Sequence, residues 1–530
     1  MNNIVLVGFM GSGKSTVGRQ LANRLGRTFV DLDDEITVEA GRSVAEIFAL
    51  EGEDGFRARE ARSLERVLAR TDVIVAAGGG GPLRDENWRR IRTGNTVIAL
   101  IAEAPELARR LNGSEGRPLL QPDAPSAIAA LLPSRISRYL EADLVVRTDG
   151  REPVAVAAHI ADSLPSSGLQ RIPLDVPGAA HEIVIGSHLG HMVASTVQRL
   201  ANTAHAVVIS DTQVAARHAA PLMATLSSAG IPATLHTVPH GEMAKEMAVL
   251  SGIYDALGSA GVDRQGMLLV LGGGTVGDVA GFAAATWMRG TRYIQVPTTL
   301  LAMVDSSIGG KTGINLPSGK NMIGAVHQPS AVFCDLDYLA TLPDADYRAS
   351  LAEIIKAALV ADRAFVRWLW HNLPALLGRD IALIGEAVAR AVRIKASIVV
   401  RDPDERNERA ILNYGHTVGH ALERALGYGQ VRHGEAVAWG MEVASRISLL
   451  NGTGSDHAVR IQHELLDQAE LLQNRPVVGR ADLLAALRHD KKSQSGEPRW
   501  VLLRELGRAD YGVQVDPKTV STALAEVLSI

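Results

Sequence analysis

Residues 4–15 read IVLVGFMGSGKS, four apolar residues running into the spacing Gly8-x4-Gly13-Lys14-Ser15. With the amphipathic stretch 15–25 that follows, this is the order strand, glycine loop, helix of a phosphate-binding α/β fold. The glycines let backbone N–H groups close round phosphate oxygens, and the helix N-terminus adds its dipole. Lys14 adds a point charge, and the Ser15 hydroxyl is placed for Mg²⁺. Gly11, Ser12, Gly13, Lys14, Ser15 and Thr16 are therefore the candidate ATP-binding residues. Further apolar runs at 29–32, 73–76, 97–101 and 144–146 alternate with amphipathic stretches. That alternation predicts a parallel sheet with helices on both faces.

A second glycine loop, LGGGTVGD at 271–278, follows its own apolar run and opens a stretch rich in small residues. Close backbone approach to a pyrophosphate is the expected use of Gly273 and Gly274. One site does not need two such loops, so the chain reads as two catalytic units fused end to end. Apolar runs at 183–185, 206–209, 267–271 and 293–296 predict a second α/β sheet. After Thr341-Leu342-Pro343 the pattern is helical nearly to the end, apart from 500–503. The stretch 164–177 gathers three prolines and a glycine without helical period and reads as a linker. The expected organisation is a P-loop domain over 1–163, a nucleotide-binding α/β domain over 178–340, and an α-helical metal-binding domain over 341–530.

The 530 residues are 46% hydrophobic and 21% charged, enough for several large cores. A formal charge of -4 with no basic stripe argues against a nucleic-acid partner. The lone Cys334 excludes an intrachain disulfide framework and suits a reducing, cytoplasmic setting. No apolar run approaches the 18 residues of a membrane span, and the apolar start lacks the basic flank of a signal peptide. Small-molecule substrates and a homodimer formed through the second half are the expected partners.

In the first half, Asp31-Leu32-Asp33 closes a strand candidate, and a period of two would point both carboxylates the same way. Phe56-Arg57, Gly78-Gly79-Gly80, Arg117-Pro118-Leu119-Leu120 and Arg135-x3-Tyr139 follow in order. Each arginine taken singly reads as a surface residue; together they suggest two anions, a phosphate chain and a carboxylate. This ordered set resembles shikimate kinase over essentially all of residues 1–162. The resemblance implies that Asp33, Arg57, Gly78, Gly79, Gly80 and Arg135 hold shikimate, with Asp33 accepting the hydroxyl proton. It gives Ser15 and Asp31 to Mg²⁺ and Lys14 and Arg117 to ATP and catalysis, Arg117 on a lid that excludes water. Arg110 and Arg151 would lie near the adenine. Gly81-Pro82 after the glycine triplet is a local departure.

In the second half, Glu353 and Lys356 are three apart, His416 and His420 four apart, each pair on one helix face, and His433 follows after a turn. A glutamate with two histidines makes a three-ligand set that leaves positions open for substrate oxygens, the pattern of a catalytic metal. Arg289, Lys311, Lys320, Asn321, Lys395 and Arg409 suggest a substrate carrying phosphate and carboxylate groups. The run RDPDERNER at 401–409 reads as mostly solvated.

Residues 171–530 resemble 3-dehydroquinate synthase through GGGTVGDVAGF, GKNMIGA, LAEIIK, LNYGHTVGHALE, HGEAVAWGM and HDKK. The resemblance implies Glu353, His416 and His433 as ligands of Zn²⁺ or Co²⁺. It gives NAD⁺ to Asp211, Glu242, Lys245, Gly273, Gly274, Asp278, Thr298, Thr299, Lys311 and Lys320. Asp305, Lys311, Lys356 and His420 would be catalytic, and Arg289, Asn321, Lys395, Arg409 and Asn413 substrate-binding. Gln213 stands where a shorter Asn is usual. The implied whole is a bifunctional enzyme: ATP- and Mg²⁺-dependent phosphorylation of shikimate, and NAD- and metal-dependent formation of 3-dehydroquinate with phosphate release. The other reading, a nucleotide-sensing P-loop module fused to a polyol dehydrogenase-like enzyme, needs no cluster of cations for a phosphate. Lys311, Lys356, Lys395 and Arg409 argue against it.

Overall fold

The computed structural model describes residues 3–111, 124–164, 169–200, 205–317, 319–427, 429–488 and 498–528. The chain divides into two compact units. One is Met1–Gln170 together with Gly186–Ala204 and Pro221–Ala233; the other is Arg171–Ile185, His205–Ala220 and Thr234–Ile530.

The first unit holds a five-stranded sheet made of β1 (Ile4–Val7), β2 (Thr28–Asp31), β3 (Val73–Ala76), β4 (Thr96–Ile101) and β5 (Leu144–Arg147). The strand order is β2-β3-β1-β4-β5 and every pairing is parallel. Strand β1 shows why the sequence has no polar alternation: Val5 and Val7 pack into one core, Ile4 and Leu6 into the other. A sheet covered on both faces needs apolar residues at every position. Helix Lys14–Leu25 starts where the glycine loop ends, with Val17, Leu21 and Ala22 buried.

The second unit holds a seven-stranded sheet: β6 (Gln170–Val176), β7 (Ala179–Gly186), β8 (Ala206–Asp211), β9 (Ala233–Val238), β10 (Met267–Gly272), β11 (Arg292–Pro297) and β14 (Ala331–Asp335). The order β6-β7-β14-β11-β10-β8-β9 places β11, β10 and β8 side by side and parallel. Their carboxyl ends therefore form one edge, where open α/β sheets bind ligands. Two antiparallel hairpins, β12–β13 (Lys311–Leu316, Gly319–Val326) and β15–β16 (Trp500–Glu505, Arg508–Val513), complete the strands. Helices dominate from Asp344 onward, and the largest core joins helices Asp344–Ala361, Arg363–Leu377, Ile381–Arg401 and His433–Leu450. Among the described residues no helix is long and apolar enough to cross a membrane.

Two differences from the sequence expectation have physical causes. Strand β6 occupies the second part of the stretch read as a linker; Pro173 sits inside it, which an edge strand tolerates because its outer N–H groups have no partner to lose. The hairpin β12–β13 has no counterpart among the predicted strands, because β13 is exposed or half-buried throughout and offers no buried face.

His181 on β7 is buried, and neither ring nitrogen has a hydrogen-bond partner among the described residues. Burial pushes its pKa from 6.5 down to about 4. A depressed folded-state pKa means stability that is present above the unfolded value and lost as pH falls through the folded one. Relative to His181→Leu, the wild type is expected to lose of the order of 2–3 kcal/mol between pH 6.5 and 4. Thermal melting of both proteins across that window checks this; a constant gap in Tm would show that the imidazole carries its charge inside the fold.

Candidate active sites

In the first unit the loop after β1 turns through Gly11 (φ +79°) and Gly13 (φ +98°), a left-handed region open to glycine at little cost. Gly13 caps helix Lys14–Leu25, so the helix N-terminus opens onto the loop. Lys14 Nζ folds over it and donates to the carbonyls of Gly8 (2.9 Å) and Phe9 (3.0 Å). Ser15 Oγ donates to Asp31 Oδ2 at 2.5 Å, which joins the two expected Mg²⁺ residues across 16 positions of sequence. Arg110 braces the loop through the Gly11 carbonyl (3.3 Å) and holds the Thr148 carbonyl (2.7 Å). Arg151 is exposed and, among the described residues, donates to the Arg147 carbonyl. Arg117 lies outside the described residues.

The reason given for Asp33 needs correction. Strand β2 ends at Asp31, whose side chain caps the helix Leu32–Ala40 by accepting from Asp33 N at 3.1 Å. Asp33 is thus a helical residue and the period of two does not apply. Its carboxylate instead faces Gly78, where a Cβ would lie 3.0 Å from Asp33 Oδ1 and 2.6 Å from Glu60 Oε1. Arg57 is buried between Glu60 (2.8 Å) and Glu53 (3.2 Å), and any side chain on Gly80 would collide with its guanidinium. Burial opposes the charge on Arg57, but the two carboxylates hold its pKa above the ordinary value. Arg135 is buried over the Phe9 ring at 5.5 Å, and Tyr139 donates to the Gly79 carbonyl at 2.6 Å. Arg57, Gly80, Arg84 and Arg135 line a cavity of about 540 Å³ with Glu51 and Glu53. Glu60 escaped the sequence reading. It is fully buried, its Oε1 has no hydrogen-bond partner among the described residues, and burial raises its pKa against the pull of Arg57. Its only signal was a position three after Arg57, on the same helix face.

In the second unit, three helices carry the expected metal ligands. Glu353 comes from Asp344–Ala361, His416 from the first turn of His416–Leu426, and His433 from the first turn of His433–Leu450. One ligand atom from each lies within 4.8 Å of the others. His416 Nε2 is 3.6 Å and His433 Nε2 3.9 Å from Glu353 Oε1, a buried oxygen with no hydrogen-bond partner among the described residues. Such an orphaned carboxylate oxygen facing two imidazoles fits a divalent cation between them. Backbone contact makes the convergence possible. A Cβ on Gly434 would collide with the Ala349 carbonyl, and one on Gly440 with the Gly415 carbonyl. Helix 433–450 therefore lies directly against the elements that bear Glu353 and His416.

Each imidazole is held from behind. His416 Nδ1 is 3.2 Å from the Tyr414 carbonyl, and His433 Nδ1 is 3.1 Å from Glu423 Oε2. Burial, reinforced by Lys356, lowers the His416 pKa well below the ordinary value, so the ring is neutral, as a ligand must be. Burial works the same way on His433, but the Glu423 carboxylate outweighs it and raises the pKa. His420 packs against both rings, with centroids at 5.2 and 5.8 Å. Lys356 pairs with Glu353 Oε2, and Lys395 with the Asp305 carboxylate and its carbonyl. Burial penalises the charge on Asp305, yet Lys395 and Lys356 hold its carboxyl below the usual range. Asn413 Nδ2 donates to Glu405 Oε1 (3.1 Å), and Lys311 pairs with Glu405 Oε2. The Arg409 guanidinium lies against Gly309 and donates to the Pro403 carbonyl at 2.7 Å. Glu405 belongs to the run read as solvated; the fold turns it inward, with a left-handed φ of +55°.

The nucleotide set gathers at the carboxyl edge of β8, β10 and β11. Asp211 ends β8, Gly273 and Gly274 follow β10, and Thr298 and Thr299 follow β11. Thr298 Oγ1 is buried without a hydrogen-bond partner among the described residues, and Gly273 abuts Thr299. Asp211 also caps the next helical turn through Gln213 N and Val214 N and meets His240 Nδ1 at 3.1 Å. Lys245 Nζ donates to Asp278 Oδ2 (2.6 Å) and to Asn321, which sets Asn321 beside the nucleotide residues. Lys320 meets Glu242 at 3.1 Å, and Asn315 holds the other Glu242 oxygen at 2.7 Å. Arg289 is not brought to this cluster. It stands exposed in a turn with φ +65°, without a partner among the described residues.

Known proteins resemble both halves. The shikimate kinase family matches residues 10–165, the 3-dehydroquinate synthase N-terminal family residues 235–349, and the 3-dehydroquinate synthase C-terminal family residues 350–493. A 3-dehydroquinate synthase of Xylella fastidiosa is 44% identical over 356 residues, 65% of this chain and 89% of that protein. The structure of ValA, a 2-epi-5-epi-valiolone synthase from Streptomyces hygroscopicus with NAD⁺ and Zn²⁺ bound, is 27% identical with a TM-score of 0.61. It covers 67% of this chain and 98% of its own. A shikimate kinase from Acinetobacter baumannii in complex with shikimate is 36% identical over 31% of this chain and 92% of its own, with a TM-score of 0.30.

Proposed function

The chain belongs to the 3-dehydroquinate synthase family and carries a shikimate kinase domain at its N-terminus, and from that premise we propose how its residues divide two reactions of the shikimate pathway. Phosphoryl transfer is assigned to residues 1–163, and 3-dehydroquinate formation to residues 178–530, as a nucleotide domain over 178–340 and a metal domain over 341–530. The observation that carries the second assignment is the meeting of Glu353, His416 and His433 round an unpartnered carboxylate oxygen, with Lys356, Lys395 and Asp305 beside it.

In the kinase, Gly11–Thr16 N–H groups and Lys14 hold the ATP phosphates, and Ser15 with Asp31 holds Mg²⁺. Arg57 and Arg135 bind the shikimate carboxylate, Gly78–Gly80 let the ring approach the backbone, and Asp33 accepts the proton of the attacked hydroxyl. Glu60 keeps the Arg57 fork aimed at the cavity. Arg117 is proposed to close over ATP.

In the synthase, Glu353, His416 and His433 would hold Zn²⁺ or Co²⁺, and Asp211, Glu242, Lys245, Gly273, Gly274, Asp278, Thr298, Thr299 and Lys320 would hold NAD⁺. When bound, the metal supplies a Lewis acid for substrate hydroxyls and the nucleotide a reversible hydride acceptor. The chain's own residues orient 3-deoxy-arabino-heptulosonate 7-phosphate and exclude water. Lys311, Lys356, Lys395, Arg409 and Asn413 bind its phosphate and carboxylate, and Asp305 aligns the Lys395 ammonium. His420, exposed at the rim of the cluster, takes the hydroxyl proton on an imidazole nitrogen. Phosphate leaves as the adjacent carbon gives up its proton, and the opened product closes by carbon–carbon bond formation. Arg289 is proposed to reach substrate within a homodimer formed through the second half, acting in a cytoplasmic setting.

Two assays on the full-length protein test the assignment. Dialysis against a chelator selective for zinc is expected to silence 3-dehydroquinate formation, with recovery on Zn²⁺ or Co²⁺ but not on Mg²⁺, which prefers octahedral oxygen ligands. Shikimate phosphorylation should keep its full rate as long as Mg²⁺ and ATP are present. Synthase turnover by metal-free protein would overturn the metal assignment.

A further inference from the structure

Helix His416–Leu426 places His416, His420 and Glu423 on one face, at intervals of four and three residues. The first two have roles in the metal centre and the reaction; Glu423 has none so far. Its side chain is only 12% exposed, and its two oxygens are used separately. Oε2 faces His433 Nδ1 at 3.1 Å, and Oε1 faces Lys320 Nζ, on strand β13, at 3.9 Å. His433 Nε2 is thereby the nitrogen turned toward Glu353 Oε1, 3.9 Å away.

We infer that Glu423 is a positioning residue for the divalent metal: it fixes the tautomer and ring angle of His433 through Oε2, with the Lys320 ammonium 3.9 Å from its other oxygen. The inference rests on the metal reading above. A neutral imidazole has one N–H, and whichever nitrogen carries it cannot bind a cation. A carboxylate at Nδ1 draws the proton there and leaves the Nε2 lone pair aimed into the centre. It also makes that lone pair more basic. His416 receives the weaker version of this support, from the Tyr414 carbonyl, so His433 is the ligand whose donor strength depends on a charged partner. Lys320, whose nearer partner is Glu242 at 3.1 Å, adds a positive charge beside Oε1 from an element more than 90 positions away in sequence.

The test compares wild type with Glu423→Gln and Glu423→Ala in the full chain. Zinc affinity is read by competition with a chromophoric chelator, and the site geometry by the visible spectrum of the Co²⁺-loaded protein. Glu423→Ala is expected to weaken zinc binding about 10–100-fold and to change the Co²⁺ bands. Glu423→Gln, whose amide oxygen still accepts from Nδ1–H, is expected to lose less. Thermal melting of the metal-free protein should be nearly unchanged in Glu423→Ala, because the side chain acts on the metal site and not on the fold as a whole. Wild-type zinc affinity in Glu423→Ala would overturn the inference. So would a fall in the melting temperature of the metal-free Glu423→Ala protein large enough to account for the lost affinity, which would mark a general destabilisation. A wild-type protein that binds no zinc at all would instead overturn the metal reading itself.

Discussion

Replacing His416 with alanine is expected to abolish 3-dehydroquinate formation while the same polypeptide continues to phosphorylate shikimate at the wild-type rate. Three side chains meet at the centre, and two cannot retain a divalent cation or direct its open positions toward substrate. Loss of the Lewis acid removes several kcal/mol of charge stabilisation, which is a fall of about 10³-fold or more in turnover. His416 lies in the first turn of its helix, packed against His420 and His433 and backed by the Tyr414 carbonyl. The alanine leaves a small polar gap and not a broken helix, so thermal melting of the metal-free protein should change little. Metal content, both activities and melting are measured on one preparation. Full synthase activity in a metal-free His416→Ala protein would refute the assignment of all three ligands.

The reciprocal expectation concerns Lys14. Lys14→Ala should reduce shikimate phosphorylation about 10²–10³-fold in kcat, the usual cost of removing one preorganised group that meets charge in the transition state. The side chain already lies across the loop on the Gly8 and Phe9 carbonyls, so its ammonium needs little reordering to meet a phosphate. Formation of 3-dehydroquinate should not change, because each reaction is assigned its own loop and its own residues. ADP release and phosphate release, followed separately, give the two rates. A parallel fall in both at unchanged melting temperature would show that the halves are coupled.

Much of this site was legible in the residues themselves. Strands β1 and β3 have the bounds that their apolar runs predicted, because both faces of a parallel sheet are buried and no polar residue interrupts the pattern. The loop spacing at Gly8–Ser15 and the four-residue interval between His416 and His420 are local geometry, set by one turn or one helix. Where the reading went astray, the cause was also local. Asp33 was taken for a strand residue because nothing in Asp31-Leu32-Asp33 shows that the helix begins at Leu32. Strand β14 is only four apolar residues ending in Asp335, too short for periodicity to separate strand from helix.

Three carboxylates mark the limit of what the chain discloses by itself. Glu60, Glu405 and Glu423 sit among ordinary polar neighbours in sequence, yet each reaches a residue of a site: Arg57, Lys311 with Asn413, and His433. Sequence spacing fixes which residues share a helix face; it says nothing of which other element that face will meet. Local pattern alone determined two glycine loops that each follow a strand, two α/β sheets and a helical region with a Glu-His-His set. Tertiary packing decided the rest. Gly434 and Gly440 let helix 433–450 lie against its neighbours closely enough for Glu353, His416 and His433 to meet, and the pairing of β12 with β13 carried Lys320 to Glu423. Those encounters join residues tens of positions apart, and only close packing of whole elements brings such residues within a few ångströms.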